Sequence, residues 1–108
     1  MKGYVSKLVL NGERVKSKKD FHKMIGVLLN AESYVDGYGY NLDALWDIMS
    51  SGAGLNCELH WKNSNISRKN LGDVYFDAII QTFTEAEKCP WLQCGEFKND
   101  IPFKFYLE

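Results

Sequence analysis

Residues 37–49 read GYGYNLDALWDIM, in which two glycines alternate with two tyrosines before an apolar and acidic segment. Asn41 is a preferred N-cap residue, and the small residues SSGAG at 50–54 would end a helix near Ser50. At 100° per residue, the apolar side chains share one arc: Leu42, Leu45, Ile48 and Met49, with Trp46 at its margin. The opposite arc is polar or small: Asp43, Ala44, Asp47, Ser50 and Ser51. The segment predicts a helix with one buried face and one acidic face.

Before this helix, the sequence predicts a strand, a helix and a loop. Residues 4–10, YVSKLVL, alternate weakly and end at the turn pair Asn11-Gly12. SKKD, with Ser17 three residues before Asp20, resembles a capping box. The apolar residues that follow recur at i, i+3, i+4 and i+7: Phe21, Met24, Ile25 and Leu28. This spacing predicts an amphipathic helix over 18–29, and the polar and glycine residues of 30–40 predict an exposed loop.

After the helix, two further strands and one long helix are predicted. CELHW at 57–61 is short enough for a strand, and KNSNISRKN at 62–70 indicates a polar connection. Residues 71–88 carry apolar side chains at helical spacing, 91–100 indicate a loop, and IPFKFYLE at 101–108 predicts a final strand. Strands separated by helical crossovers favour a parallel sheet. The expected fold class is therefore α/β, a small three-stranded parallel sheet packed by helices.

Length and composition favour one packed domain over residues 1–108. The chain has 45% hydrophobic and 14% aromatic residues and only two prolines. It has neither an apolar run of the roughly 20 residues needed to cross a bilayer nor a signal-peptide pattern, so we expect a cytoplasmic protein. The three cysteines lack CxxC spacing and a histidine cluster, so we expect reduced thiols and no zinc: Cys57, Cys89 and Cys94.

Charge is distributed unevenly along the chain, although the formal net charge is only −1. Residues 1–23 hold seven Lys or Arg and two acids. Residues 24–61 hold no Lys or Arg and five acids: Glu32, Asp36, Asp43, Asp47 and Glu58. A stretch of this kind focuses a negative field on one surface and attracts a cationic partner.

Helix stability explains the presence of Asp43 but not that of Asp47. Asp43 lies in the first turn, where a carboxylate complements the helix dipole. Asp47 adds a like charge at i+4, at a cost of about 0.2–0.5 kcal/mol, with no base nearby in sequence. A solvated acidic face is one interpretation. However, Tyr38, Tyr40 and Trp46 lie beside the carboxylates, and aromatic residues clustered with charges are typical of an interface.

Other site chemistries fit this segment less well. GYGYNL lacks the third glycine of a phosphate-binding GxGxxG, and Asp43 would repel a phosphate from the helix N-terminus, so neither nucleotide nor nucleic acid is an expected partner. An acid–base or metal-dependent enzyme that joins the carboxylates to His22 or His60 is a weaker hypothesis. No Ser/His/Asp or Cys/His order is present. We therefore expect no catalytic residues, metal or cofactor.

The sequence YGYNLDALWDIM, after a strand that ends in LNGE, resembles the barstar family of ribonuclease inhibitors. Trp61 at the end of the second strand and FTEAEK at 83–88 extend the resemblance over most of the chain. The resemblance implies a three-stranded parallel sheet packed by helices. It also implies stoichiometric inhibition of a bacterial ribonuclease toxin, in which carboxylates take the place of RNA phosphate in the active site. An interaction module of the same fold that binds a non-nuclease basic partner is the alternative.

By resemblance, Asp47 would be the principal phosphate mimic and Asp43 a second acidic contact. The other implied partner-binding residues are Tyr38, Gly39 and Asn41 in the inserted loop, Trp46 beside the contact, and Glu85 at the rim. The chain departs from the family at Gly37, where a second tyrosine is common, and at Tyr40, where an acidic residue is usual. The segment 89–100 is also longer than the family pattern. Because Gly37 and Tyr40 lie in or near the implied contact, their departure from the family pattern bears on the identity of the target ribonuclease.

Overall fold

The computed structural model describes residues 5–88 and 101–108. Within these residues the chain forms three strands and four α-helices: β1 Ser6–Asn11, α1 Lys18–Leu28, α2 Leu42–Ser50, β2 Cys57–Lys62, α3 Ser64–Leu71, α4 Asp73–Lys88 and β3 Lys104–Leu107. Short 3₁₀ turns lie at Gly12–Arg14 and Ala31–Ser33. The predicted strands and the helices α1, α2 and α4 are confirmed, with ends that shift by up to three residues. The loop predicted over 91–100 lies outside the described residues.

The three strands form one parallel sheet in the order β1-β2-β3. Leu10 of β1 pairs with Trp61 of β2, and Leu59 of β2 pairs with Phe105 of β3. Parallel neighbours need long crossover connections, which the helices between the strands supply. The predicted α/β class with a three-stranded parallel sheet is therefore confirmed.

The polar connection predicted over 62–70 is wrong, because Ser64–Leu71 forms the helix α3. Gly72, with φ of +87°, separates it from α4. The buried face of this helix consists largely of polar residues, so its sequence lacks an apolar helical pattern. Ser67 is fully buried: its Oγ accepts a hydrogen bond from the Trp61 indole N–H at 2.9 Å and donates one to the Gly12 carbonyl at 2.9 Å. Hydrogen bonds between distant segments thus replace apolar packing on α3.

The core lies between one face of the sheet and the helices, and Trp61 of β2 is at its centre. The Trp61 ring stacks on Phe21 of α1 at 5.2 Å and meets Phe76 of α4 at 5.0 Å. Ser17 caps α1 by accepting a hydrogen bond from the Asp20 N–H, as the sequence predicted. The other large, fully buried side chains are Phe83, Phe103, Leu10, Ile25, Leu45, Ile48, Met49, Leu59 and Ile79.

The second face of the sheet carries mainly exposed side chains. Lys7 and Val9 of β1, Lys62 of β2 and Tyr106 of β3 are all exposed. The core, which includes the buried face of α2, therefore lies on the other side of the sheet, and α1 borders Val9 at the edge strand β1. Of the helices in the described ranges, none has the length and apolar character to cross a membrane.

Candidate functional site

Helix α2 is fixed by hydrogen bonds at both ends and by its apolar face. The Asn41 Oδ1 accepts a hydrogen bond from the Ala44 N–H at 2.7 Å, which confirms the predicted N-cap. At the other end, the Ser50 and Ser51 hydroxyls donate to the Asp47 carbonyl. The side chains that face the core are fully or nearly fully buried: Leu45, Ile48 and Met49. The predicted division into a buried face and an acidic face is thus the one observed.

Asp43 and Asp47 are both exposed, on successive turns of α2. In the part of the chain that the structure describes, neither carboxylate takes part in an ion pair. Both line one shallow surface depression, together with Val35, Gly37, Gly39, Asn41 and Ala44. Two unneutralised carboxylates beside a glycine-lined depression suit a cationic group better than an anionic one.

The loop before α2 has an unusual backbone. Gly37 has φ of +83°, and Tyr40 has φ of +53°. The left-handed region favours glycine, and a bulky aromatic residue there is strained. The Asn41 Nδ2 donates a hydrogen bond to the Gly39 carbonyl at 3.1 Å, so the residue that caps the helix also holds the preceding turn.

Tyr38 does not line the acidic depression but is half-buried against α1. Its hydroxyl lies 2.8 Å from Nδ1 of His22, and the Tyr75 hydroxyl of α4 lies 2.6 Å from Nε2 of the same ring. His22 is fully buried, and burial lowers its pKa to about 4. Burial also raises the pKa of both tyrosines. A neutral His22 therefore links the loop to two helices.

The remaining partner-binding residues predicted by resemblance lie elsewhere. Trp46 is half-buried and packs against the core. Glu85 lies in a separate shallow groove on the outer side of α4, where its carboxylate is 3.3 Å from the Lys88 Nζ. The structure thus brings Gly39, Asn41, Asp43 and Asp47 into one depression and leaves Tyr38, Trp46 and Glu85 outside it.

Neither histidine joins the two carboxylates. His60 lies on the open face of the sheet, where its Nε2 is 2.9 Å from Glu58 and its Nδ1 is hydrogen-bonded to Glu108. His22 bonds only to tyrosines among the described residues. Across residues 5–88 and 101–108, no group of three or more His, Cys, Asp and Glu side chains could hold a metal ion.

Of the three cysteines, only Cys57 lies in the described residues. Cys57 is a free thiol, and burial raises its pKa. The other two cysteines, Cys89 and Cys94, lie outside the described residues.

Two residues of this region did not follow from sequence patterns. His22 is not the partner of the carboxylates that the enzyme hypothesis requires, and its position next to Phe21 on the apolar face of α1 is one that indicates burial. The strained backbone of Tyr40 had no signal in the sequence beyond the neighbouring glycines.

Comparison with known proteins agrees with this architecture. The family model described as Barstar (barnase inhibitor) matches residues 5–108. The Bacillus subtilis (strain 168) protein named "Putative ribonuclease inhibitor YrdF" is 30% identical over 102 residues, which span 94% of this chain and 98% of that protein. The family match includes all three strands, the helix α2 and the loop before it. This chain therefore belongs to the barstar family.

Proposed function

We propose that this protein is a stoichiometric inhibitor of a bacterial ribonuclease toxin and protects the cytoplasm of the cell that makes it. The carboxylates of Asp43 and Asp47 would occupy the enzyme's active site in the place of RNA phosphate. Membership of a family described as barnase inhibitors supports an inhibitory role. The name of the Bacillus subtilis relative points the same way.

One observation carries the proposal: two exposed carboxylates lie on successive turns of α2 without an ion pair in the described residues. Fold stability does not require Asp47, since like charges at i and i+4 weaken a helix slightly. A ribonuclease must bind phosphates, so its active site is cationic, and an anionic surface on the inhibitor would accelerate encounter.

The residues around the carboxylates have separate proposed roles. Gly39 and Asn41 shape the depression, and the absence of a side chain at Gly39 allows close approach of an enzyme backbone. Tyr38 and Trp46 support the loop and the helix from behind. Glu85 would reach a basic group at the rim, at the expense of its contact with Lys88. No residue of the chain is proposed to act as a catalyst.

The test is inhibition of purified ribonucleases, with barnase first because the family description names it, followed by ribonuclease toxins encoded next to relatives of this chain. Asp47→Ala is compared with Glu58→Gln, which removes the same charge from the open face of the sheet. We expect Asp47→Ala to weaken inhibition at least tenfold and to reduce its dependence on salt. We expect Glu58→Gln to inhibit like the wild type.

Two outcomes would contradict the proposal. Equal inhibition by the wild type and by a folded Asp47→Ala variant would show that Asp47 does not occupy the active site. Failure of the wild type to inhibit any ribonuclease, combined with direct binding of a basic protein without nuclease activity, would instead establish the interaction module.

A further inference from the structure

The segment 37–40 forms a ridge between two different surfaces. Its glycines, Gly37 and Gly39, line the acidic depression that contains Asp43 and Asp47. Its tyrosines, Tyr38 and Tyr40, line a separate cleft on the other side of the ridge. The cleft, hereafter the tyrosine cleft, is closed by α1 and by the 3₁₀ turn Ala31–Ser33. The acidic depression and the tyrosine cleft are therefore adjacent surfaces of different chemical character, separated by the segment 37–40.

Tyr40 is held on this ridge in a conformation that stability alone does not favour. Its φ of +53° lies in the left-handed region, where a bulky side chain is strained, and its side chain is 42% exposed. Strained residues persist where the surrounding structure fixes them and cluster at binding sites. An exposed aromatic ring contributes little to the core, so folding does not account for a tyrosine at this position.

The ring of Tyr40 is fixed before any partner arrives. It packs edge-on against Tyr38 with ring centroids 5.6 Å apart, and Tyr38 is anchored in turn by His22. The Asn41 amide fixes the adjacent Gly39 carbonyl. A rigid aromatic side chain loses little entropy on binding, which is the property of an interface anchor.

The opposite wall of the tyrosine cleft is apolar at its centre, where α1 faces the tyrosine rings. Its apolar residues are Gly26, Val27 and Ala31, of which Val27 is 78% exposed, and the Asn30 amide lies among them. Gly26 lets the Tyr38 ring approach closely, because a Cβ at this position would lie 3.1 Å from the ring. Lys23 and Glu32 also line the cleft and offset each other in charge. The cleft therefore suits an uncharged apolar or aromatic side chain rather than an ion.

We propose that the tyrosine cleft receives an apolar or aromatic side chain of the same ribonuclease, next to the cationic site that the carboxylates occupy. This inference rests on the proposed function and names a second contact for it. Continuity argues for the same occupant: Gly39 lines the depression with Asp43 and Asp47, and Tyr40 follows Gly39 directly, so a surface that extends over Gly39 meets Tyr40. The acidic depression supplies electrostatic attraction, and the cleft supplies a dehydrated apolar contact that sets specificity and slows dissociation.

The first test is Tyr40→Gly, measured by the rate of dissociation from barnase, or from the ribonuclease that the wild type inhibits, at low and high salt. Glycine adopts the observed φ without strain, which offsets the lost contact with the Tyr38 ring and the greater entropy of the unfolded chain, so the urea midpoint of unfolding is expected to change little. We expect dissociation to accelerate at least tenfold, with an unchanged salt dependence. Asp47→Ala, in contrast, is expected to reduce the dependence of binding on salt.

The second test fills the cleft from its other wall and leaves the loop unchanged. Val27→Trp places a large ring in the cleft from an exposed helical position, and Val74→Trp is the matched control at a valine that is 88% exposed and lines no part of the cleft. We expect only Val27→Trp to accelerate dissociation at least tenfold.

The results separate this inference from the proposed function. If Asp47→Ala loses inhibition while Tyr40→Gly and Val27→Trp dissociate like the wild type, the inhibitor function stands and the cleft contact is wrong. If the wild type inhibits no ribonuclease, the proposed function fails, and the partner assigned to the cleft fails with it.

Discussion

The hydroxyl of Tyr38 lies 2.8 Å from Nδ1 of His22, and this contact joins the loop before α2 to the first helix. The other ring nitrogen is bound by Tyr75 of α4. A neutral imidazole can donate from one nitrogen and accept at the other, so both hydroxyls find a partner without a buried charge. The candidate site is therefore supported from behind by a buried, uncharged hydrogen-bond chain.

This arrangement predicts that the contribution of His22 to stability falls in mild acid. Burial lowers the pKa of His22 from 6.5 to about 4, so between these values the unfolded chain binds a proton that the folded chain does not. The free energy of unfolding contributed by His22 therefore decreases as the pH falls from about 6.5 to about 4, by at most about 3 kcal/mol. Urea unfolding of the wild type and His22→Gln across this window measures the effect.

His22→Gln provides the control because its amide keeps hydrogen-bonding capacity but does not titrate. We expect its free energy of unfolding to vary less over this window than that of the wild type. An identical pH dependence in the two proteins would show that His22 is not the titrating group.

His60 predicts a pH effect of the opposite sign. Its hydrogen bonds to Glu108 and Glu58 raise its pKa, with Glu108 the larger cause. The resulting stabilisation is fully present below about pH 6.5 and is lost as the pH rises through the raised pKa. We expect His60→Gln to destabilise the protein more at about pH 5.5 than at about pH 8.5, and salt to reduce the difference.

Chemical denaturation of both proteins at the two pH values gives the comparison. If His60→Gln lowers the free energy of unfolding equally at both, the ion pairs on the open face of the sheet do not depend on the charge of His60.

Helix α3 is the part of the fold that the periodicity of the sequence does not predict. The helix α1 was predictable because Phe21 and Ile25 repeat at apolar helical spacing and are buried as expected. In α3, the buried Ser64 and Ser67 are polar, and each finds its partners in segments distant along the chain. Local periodicity carries no information about such partners, so the segment resembled a loop.

The residues of the candidate site also fall into two groups: the sequence predicts the side-chain directions of the helix residues but not those of the loop residues. A regular helix fixes the direction of each side chain, so the sequence alone indicated that Asp43 and Asp47 share an exposed face. In the irregular loop, direction depends on the φ and ψ of each residue. The left-handed Tyr40 and the separation of the glycines from the tyrosines therefore became visible only in the structure.

The buried hydroxyl of Ser67 predicts a large effect of a small substitution. Ser67→Ala leaves the Trp61 indole N–H without its partner and removes one of the two hydrogen bonds that the Gly12 carbonyl accepts. An unsatisfied buried polar group costs about 1–3 kcal/mol, so we expect a loss of that size in the free energy of unfolding. Asn65→Ala, at an exposed position of the same helix, should change stability by less than about 0.5 kcal/mol. Similar midpoints of urea unfolding for both variants would contradict the structural role of Ser67.

Asn41 combines two hydrogen bonds, and substitutions can separate them. Its Oδ1 caps α2, and its Nδ2 holds the Gly39 carbonyl. Asn41→Ala removes both and should cost about 1 kcal/mol of stability. Asn41→Asp retains the cap and adds a favourable charge at the helix N-terminus, so its free energy of unfolding should equal or exceed that of the wild type.

The two substitutions are expected to diverge in binding. Because Asp lacks the amide donor, Asn41→Asp releases Gly39 and leaves the ridge beside Asp43 less rigid, even though α2 remains capped. We therefore expect Asn41→Asp to be as stable as the wild type but to inhibit the ribonuclease less strongly, measured as an inhibition constant beside the urea midpoint. Inhibition equal to that of the wild type would show that Asn41 serves binding only through the helix cap.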